Sequence, residues 1–135
     1  MSTQINGSYS ILPINKLCKE LQVTPRTLRY WEEEGLIISV ERPDRSIRGY
    51  TAEMAERIRF IIKLKKLGLS IKEIQHLGNI YDEARRTEAL LPDLMDLLVQ
   101  HIKTIDEKIA QLSELRNEII KYLSPISTKS NAGSV

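Results

Sequence analysis

Apolar residues recur at helical spacing near the start of the chain, in short stretches separated by turn-forming residues. The first stretch, Ile14 to Leu21, predicts a short helix that ends near Gln22. A second helix is predicted to begin at Thr24-Pro25, because Thr is a favourable N-cap and Pro suits the first helical position. It should end near Glu34, because Gly35 follows and glycine readily adopts the left-handed backbone conformation that commonly ends a helix. Two short helices joined by so short a turn predict a helix-turn-helix.

The next segment lacks a helical period and predicts a small hairpin. Ile37 to Val40 has the composition of a short strand, Pro43-Asp44 that of a turn, and Ile47 to Tyr50 that of a returning strand. The hairpin carries three arginines at three-residue steps, Arg42, Arg45 and Arg48. A basic hairpin directly behind a helix-turn-helix is typical of a wing that contacts the DNA backbone or the minor groove.

Two further helices follow the hairpin. Thr51 is the expected N-cap of the third helix, which should end at Gly68. Ser70 and Glu73 form a capping-box pattern that opens a fourth helix, and Gly78 is expected to end it. Residues 79–91 are then a polar connector.

A seven-residue repeat of apolar positions dominates the rest of the chain and predicts a coiled-coil helix over 92–123. Its members alternate at steps of four and three residues, with only Arg116 departing from the pattern: Leu91, Met95, Leu98, Ile102, Ile105, Ile109, Leu112, Ile119 and Leu123. Such a helix would be about 48 Å long at about 1.5 Å per residue, and the preceding domain is too small to cover its apolar seam. A homodimer paired through this seam is the simplest closed assembly. The polar ends, residues 1–8 and 124–135, are expected to be disordered.

Composition and charge narrow the functional classes. The chain has 135 residues, 41% of them hydrophobic, which is enough for one domain with a core. Residues 1–78 carry 13 Lys and Arg against 9 Asp and Glu, whereas residues 79–135 carry 7 against 9, so the front half favours a polyanionic partner. No apolar run approaches the roughly 20 residues that cross a bilayer, so we expect no membrane partner. The single Cys18 indicates a reducing compartment, and we therefore expect a cytoplasmic location.

Catalytic and metal chemistry find no support in the sequence. A single Cys18 excludes an internal disulfide and a multi-thiolate metal site within one chain. No Ser/His/Asp or Cys/His set and no Gly-rich phosphate loop is recognisable. We therefore expect no enzyme activity, no cofactor and no metal, and we interpret Cys18 as a buried core thiol.

The candidate DNA-binding residues follow from the helix-turn-helix, whose second helix presents its N-terminal residues to base edges. Arginine can bind guanine edges or phosphates, and hydroxyl groups usually bind phosphates. From the second helix the candidates are Thr24, Pro25, Arg26, Thr27, Arg29 and Tyr30, and from the wing Arg42, Arg45, Arg48 and Tyr50. The acidic run Glu32-Glu33-Glu34 is expected to face solvent away from DNA, and Trp31 and Phe60 are expected in the core.

These residues resemble a known family. Thr24-Pro25-Arg26-Thr27-Leu28-Arg29-Tyr30-Trp31-Glu32 with Gly35-Leu36 resembles the second-helix motif of the MerR (mercury-resistance-type) bacterial transcription regulators, and Arg48-Gly49-Tyr50 resembles their wing strand. Arg57 to Ile61 and Leu67 to Ile74 resemble their third and fourth helices, so the resemblance covers residues 9–78. It implies an all-α fold with a small β wing, in which a winged helix-turn-helix domain precedes an antiparallel dimerisation coiled coil.

The resemblance also implies a function. Family members are dimers that bind palindromic promoter DNA, and they bend and untwist an over-long promoter spacer so that RNA polymerase can use it, while some repress. Departures from the family pattern are Gln22, where a Gly is frequent, and the absence of cysteines around and beyond the coiled coil. The familiar metal-sensing and redox-sensing chemistries are therefore disfavoured.

Two other functions stay open at this point. An architectural or recombination accessory DNA-binding protein would use the same fold, usually without so long a dimerisation helix. A partner-binding adaptor would use the coiled coil as its functional surface, and its DNA contact would be incidental.

Overall fold

The computed structural model describes residues 11–41 and 48–133. The predicted arm 1–8, the turn at Pro43-Asp44, Arg42, Arg45 and Ile47 lie outside the described residues. The elements follow in the order β1 (Leu12–Pro13), α1 (Ile14–Leu21), α2 (Pro25–Glu33), β2 (Gly49–Tyr50), α3 (Ala52–Lys66), α4 (Ile71–Ala84), a 3-10 helix (Thr87–Leu90) and α5 (Leu91–Gly133). The expected class, helices with a small β element, is confirmed. The chain divides into two compact units, Met1–Leu94 and Met95–Val135.

The helix-turn-helix forms where its capping residues predict it. The hydroxyl of Thr24 accepts a hydrogen bond of 3.1 Å from the amide of Thr27, which caps α2. Gly35 has a φ of +76°, as expected of a residue that ends a helix. Gln22 ends α1 with a φ of 58°, a conformation that favours Gly, and this is the position where the family pattern is not followed.

The small sheet differs from the predicted hairpin. Instead of a strand over Ile37–Val40, the structure has a single antiparallel bridge between Val40 and Gly49. The principal partner of β2 is β1, in the register Leu12↔Tyr50 and Pro13↔Gly49. A two-residue strand that contains proline gives no period-2 pattern to detect, and it is tolerated because an edge proline needs no ladder donor.

The fourth helix does not end at Gly78, and that prediction is wrong. Gly78 lies inside α4, which continues to Ala84 and ends at Arg85 with a φ of 59°. Residues 79–84 of the predicted connector 79–91 therefore belong to α4, and Thr87–Leu90 of it form the 3-10 helix. The glycine has a packing reason, because a Cβ there would lie 2.8 Å from Nη2 of Arg57 on α3. The predicted capping box of Ser70 and Glu73 is confirmed.

One face of each short helix packs into the core of the first unit. Its fully buried large side chains are Tyr50, Leu17, Leu28, Ile58, Leu69 and Leu77. Trp31 and Cys18 are also buried, as predicted, whereas Phe60 is only half-buried. Among the described residues no helix is both long and apolar enough to span a bilayer.

Helix α5 carries the predicted heptad positions. Of these, Leu98 is half-buried, and the others are between 43% and 64% exposed in the single chain. The predicted end at residue 123 and the disordered tail are not observed, since α5 continues through Pro125 to Gly133. Extending an existing helix requires no new nucleation, so residues after 123 can continue it. Ile126 adds one more exposed position at the heptad spacing from Ile119.

Candidate nucleic-acid interface

Helix α2 has one buried face and one exposed, basic face. Leu28 and Trp31 pack into the core, while Arg26 and Arg29 are exposed and Tyr30 is 46% exposed. These exposed residues line one shallow depression together with Glu33. Two guanidinium groups and a phenol on one helix face can contact base edges and phosphates.

Glu33 is exposed, as the sequence predicts, and it lies on the same face of α2 as the two arginines. The acidic run is predicted to face solvent away from DNA, but Glu33 shares the depression with Arg26 and Arg29. Positions 26, 29 and 33 follow the three- and four-residue spacing that brings side chains onto the same helix face. The candidate interface therefore contains a carboxylate as well as its cations.

The threonines at the start of α2 stabilise the helix itself. The Thr24 hydroxyl caps the helix, and its oxygen lies 2.9 Å from the hydroxyl oxygen of Thr27. Thr24 and Pro25 are exposed, and Thr27 is half-buried. The positive end of the helix dipole favours an anion beside these residues.

A partly buried network joins α2 to the base of the wing. Oε1 of Glu32 accepts a hydrogen bond of 2.7 Å from the Ser39 hydroxyl, and Oε2 accepts one of 2.6 Å from the Tyr50 hydroxyl. Nε of Arg48 donates to the Ser39 hydroxyl oxygen at 2.9 Å, and Nη2 donates to the Ser39 carbonyl at 3.0 Å. The carbonyl of Ser39 is thus bound by a side chain.

This network changes the roles predicted for Tyr50 and Glu32. Tyr50 is 0% exposed, so the prediction that its side chain contacts DNA is wrong for this conformation. Glu32 is half-buried and bonded instead of simply facing solvent. Burial, with the hydrogen bond to Glu32, raises the pKa of Tyr50. Arg48 remains exposed at the surface, but two of its nitrogen atoms hold Ser39.

Sequence reasoning missed a second arginine that holds the domain together. Nε of Arg57 donates to the carbonyl of Leu36 at 3.0 Å, directly after the α2 turn. Nη1 and Nη2 donate to Asp82 at 2.6 and 3.2 Å, and the guanidinium lies 6.0 Å from the Tyr81 ring centroid. No pattern in the sequence signals this contact, because the packing of Arg57 against Gly78 is set by the fold.

Metal and small-molecule sites have limited support in the first unit. Burial raises the pKa of the Cys18 thiol, which disfavours the thiolate that binds metals. No group of three His, Cys, Asp or Glu residues suited to a metal ion occurs in the parts of the chain that the structure describes. An apolar groove of about 640 Å³ lies within this unit, lined by Leu36, Ile38, Met54, Phe60, Leu77 and Leu90, among others.

Comparison with known proteins agrees with this arrangement. Residues 12–79 match the family model described as MerR HTH family regulatory protein, and residues 55–122 match the model described as MerR, DNA binding. The chain belongs to the MerR family. MerR proteins are DNA-binding transcription regulators and not enzymes, so the sequence-based resemblance is confirmed.

Several MerR relatives are similar over most of their length. The HTH-type transcriptional regulator ZntR homolog of Haemophilus influenzae is 31% identical over 82% of this chain and 79% of the relative. The mercuric resistance operon regulatory protein of Bacillus cereus is 31% identical over 79% of each.

Solved structures show the same fold. The crystal structure of a Ralstonia metallidurans transcription regulator in complex with lead(II) has a TM-score of 0.66 and 25% identity, covering 82% of this chain and 84% of that one. HiNmlR, a MerR family regulator lacking the sensor domain and bound to promoter DNA, has a TM-score of 0.54 and 20% identity, covering 90% and 94%.

Proposed function

We propose that this MerR-family chain acts as a homodimer that binds palindromic promoter DNA and changes the geometry of the promoter spacer. The observation that carries the proposal is the exposed face of α2, where Arg26, Arg29 and Tyr30 surround one depression. The opposite face of α2 is fixed in the core by Leu28 and Trp31, so the cationic face is presented on a rigid support.

Base reading is assigned to the first turns of α2. Arg26 lies nearest the N-terminus of the helix, where a helix-turn-helix approaches base edges. Thr24, Pro25 and Thr27 shape that end of the helix, and Arg29 and Tyr30 lie one turn later. We assign Arg48, with the predicted wing residues Arg42 and Arg45, to phosphate contacts.

Dimerisation is assigned to α5. Its exposed heptad residues form a continuous apolar stripe, whereas exposed apolar side chains on a monomer are usually scattered singly. Continuous apolar surfaces of this kind mark protein interfaces. The seam residues are Leu91, Met95, Leu98, Ile102, Ile105, Ile109, Leu112, Ile119 and Leu123. We propose antiparallel pairing, by the family resemblance, with Arg116 disfavouring other registers.

A palindromic site mirrors the two-fold symmetry of such a dimer. Bending DNA costs of order 1–6 kcal/mol over a site of this kind, and added protein contacts on both sides offset it. RNA polymerase is then the partner that uses the altered spacer.

The test combines site recovery with transcription. DNA bound in the cell is recovered genome-wide, and purified protein is then assayed by transcription on promoters that differ only in spacer length. We expect palindromic sites inside promoter spacers and an effect that disappears when the spacer is shortened. Scattered sites without promoter association favour the architectural function, and the absence of sites favours the adaptor.

A further inference from the structure

The side chain of Glu32 lies between the two DNA-binding elements. It belongs to α2, yet both its carboxylate oxygens are bonded to residues on either side of the wing segment, Ser39 before it and Tyr50 after it. The main-chain bridge between Val40 and Gly49, with N–H to O distances of 2.8 and 2.9 Å, lies immediately inside these two residues. Glu32 therefore holds both ends of the wing segment at once.

The donors and acceptors of this network require a carboxylate. Both hydroxyl groups donate to Glu32, so the Ser39 oxygen is left with a lone pair for Nε of Arg48. An amide at position 32 would turn an N–H donor toward one of the hydroxyls. If that hydroxyl is Ser39, its oxygen would accept from both the amide and Arg48, and its own proton would lose its acceptor. If it is Tyr50, the phenol proton would lose its acceptor in a fully buried place.

We propose that Glu32 is the positioning residue that fixes the wing relative to α2, so that base contacts from α2 and phosphate contacts from the wing are made in one register. Because it deepens the proposed DNA-binding function, the inference rests on that function. Glu32 itself touches no DNA, since its oxygens are directed to Ser39 and Tyr50.

The first experiment needs no DNA. Amide hydrogen exchange is measured by NMR in the full-length protein and in Glu32→Gln, with Glu33→Gln as the matched control because it changes the same charge one residue away without touching the wing. We expect exchange at Val40 and Gly49 to accelerate about tenfold in Glu32→Gln, the ratio that follows the loss of one buried charged hydrogen bond. Exchange at Ile58 in the core should stay much closer to wild type, and Glu33→Gln should leave both sites unchanged.

Two outcomes of that experiment overturn the proposal. Equal acceleration at Val40 and Ile58 would make Glu32 a general stability residue, and unchanged exchange at Val40 would show that the wing base is held by other contacts. A double variant sharpens the result: Glu32→Gln with Ser39→Ala should accelerate Val40 by less than the product of the two single effects, because both changes disturb the Ser39–Glu32 hydrogen bond.

The second experiment measures DNA binding against salt concentration for wild type and Glu32→Gln on a specific duplex. In Glu32→Gln, log affinity should fall less steeply with log salt. The magnitude of the slope should decrease by about one for each phosphate that the wing no longer neutralises. The base preference conferred by Arg26 should persist. Loss of base preference with an unchanged slope would mean that α2 itself had moved, and would overturn the proposal.

The two arms separate two kinds of failure. If wild-type protein binds no specific duplex but the exchange result holds, the proposed DNA function fails and the structural role of Glu32 stands. If wild type binds DNA and Glu32→Gln matches it in both slope and exchange, the positioning role fails alone.

Discussion

The absent side chain of Gly78 makes room for the guanidinium of Arg57. A Cβ at position 78 would lie 2.8 Å from Nη2, the same atom that donates to Asp82 at 3.2 Å. The contact joins the middle of α4 to the middle of α3, and through Nε of Arg57 to the carbonyl of Leu36. A glycine inside a helix is thus tied to the segment that follows the recognition helix, α2.

We expect Gly78→Ala to gain little or no stability. In a helix interior this change stabilises by about 1 kcal/mol, but here the methyl group must displace Arg57 from its partners. In an Arg57→Met background the same change should recover the full gain of about 1 kcal/mol. Urea unfolding of wild type, Gly78→Ala, Arg57→Met and the double variant measures the coupling free energy between the two positions. Equal gains in unfolding free energy in both backgrounds would show that the Gly78–Arg57 contact imposes no constraint.

Charged residues in the seam of α5 should convert a dimer to a monomer. We expect this of the double variant Ile105→Glu with Leu112→Glu, because each buried aliphatic side chain contributes roughly 1.5–3 kcal/mol. Lys103→Glu, at an exposed position on the outer face of the helix, is the matched control and should remain dimeric. Light scattering at micromolar concentration distinguishes the species, and a well-folded monomeric wild type would contradict the assignment.

Substitutions of two arginines should separate base contacts from phosphate contacts. Arg26→Ala should lower affinity and relax the sequence preference, whereas Arg48→Ala should lower affinity about equally on all duplexes and reduce the salt slope by about one. Since Arg48 also holds Ser39, Arg48→Lys keeps the charge but loses the fork of hydrogen bonds. A salt titration on specific and random duplexes measures all three, and exchanged behaviour would reverse the assignments.

Stability should fall in alkaline solution through Tyr50. The ordinary pKa of the phenol is 10.0 and burial raises it in the folded chain, so the folded state holds its proton more tightly than the unfolded state does. The resulting stability is fully present below pH 10 and is lost as the pH rises toward the folded pKa. Tyr50→Phe should be less stable by about 1 kcal/mol at pH 8, yet should decline less steeply above pH 10. Parallel declines in denaturant unfolding at pH 8, 10 and 11 would contradict this assignment.

Cys18 should carry no metal or redox signal. The thiol is buried and alone, whereas soft-metal sites use at least two thiolate or imidazole ligands. We expect DNA affinity and promoter output to be the same in wild type and Cys18→Ala, with and without copper, zinc or oxidant. A response of the wild type that Cys18→Ala lacks would show that the thiol is a sensor.

The sequence was most informative where one residue acts on its neighbours. Thr24, Gly35 and the pair Ser70 and Glu73 cap helices through contacts at most three residues away, so their patterns predicted the observed helix ends. Gly78 carries the same local signal as Gly35, but it lies inside α4 against Arg57, 21 residues away in the sequence, and no local rule detects that contact.

The residues of the candidate interface also differ in whether the sequence alone could identify their roles. The exposed face of α2 follows from helical spacing around Leu28 and Trp31, so Arg26, Arg29 and Tyr30 could be found from the sequence. The burial of Tyr50 could not, because its hydroxyl is satisfied by a carboxylate 18 residues earlier. A tyrosine beside basic residues is typical of a phosphate contact, and only the fold shows that it faces inward.

The burial of Trp31 gives the recognition helix an optical reporter of its own. It is the single tryptophan in the chain, is 4% exposed, and precedes Glu32 on α2. Indole emission shifts to longer wavelength when water reaches the ring, so the unlabelled protein reports every loosening of α2 from its core. Rapid-mixing fluorescence can therefore time the response of this helix to DNA, separately from events in α5.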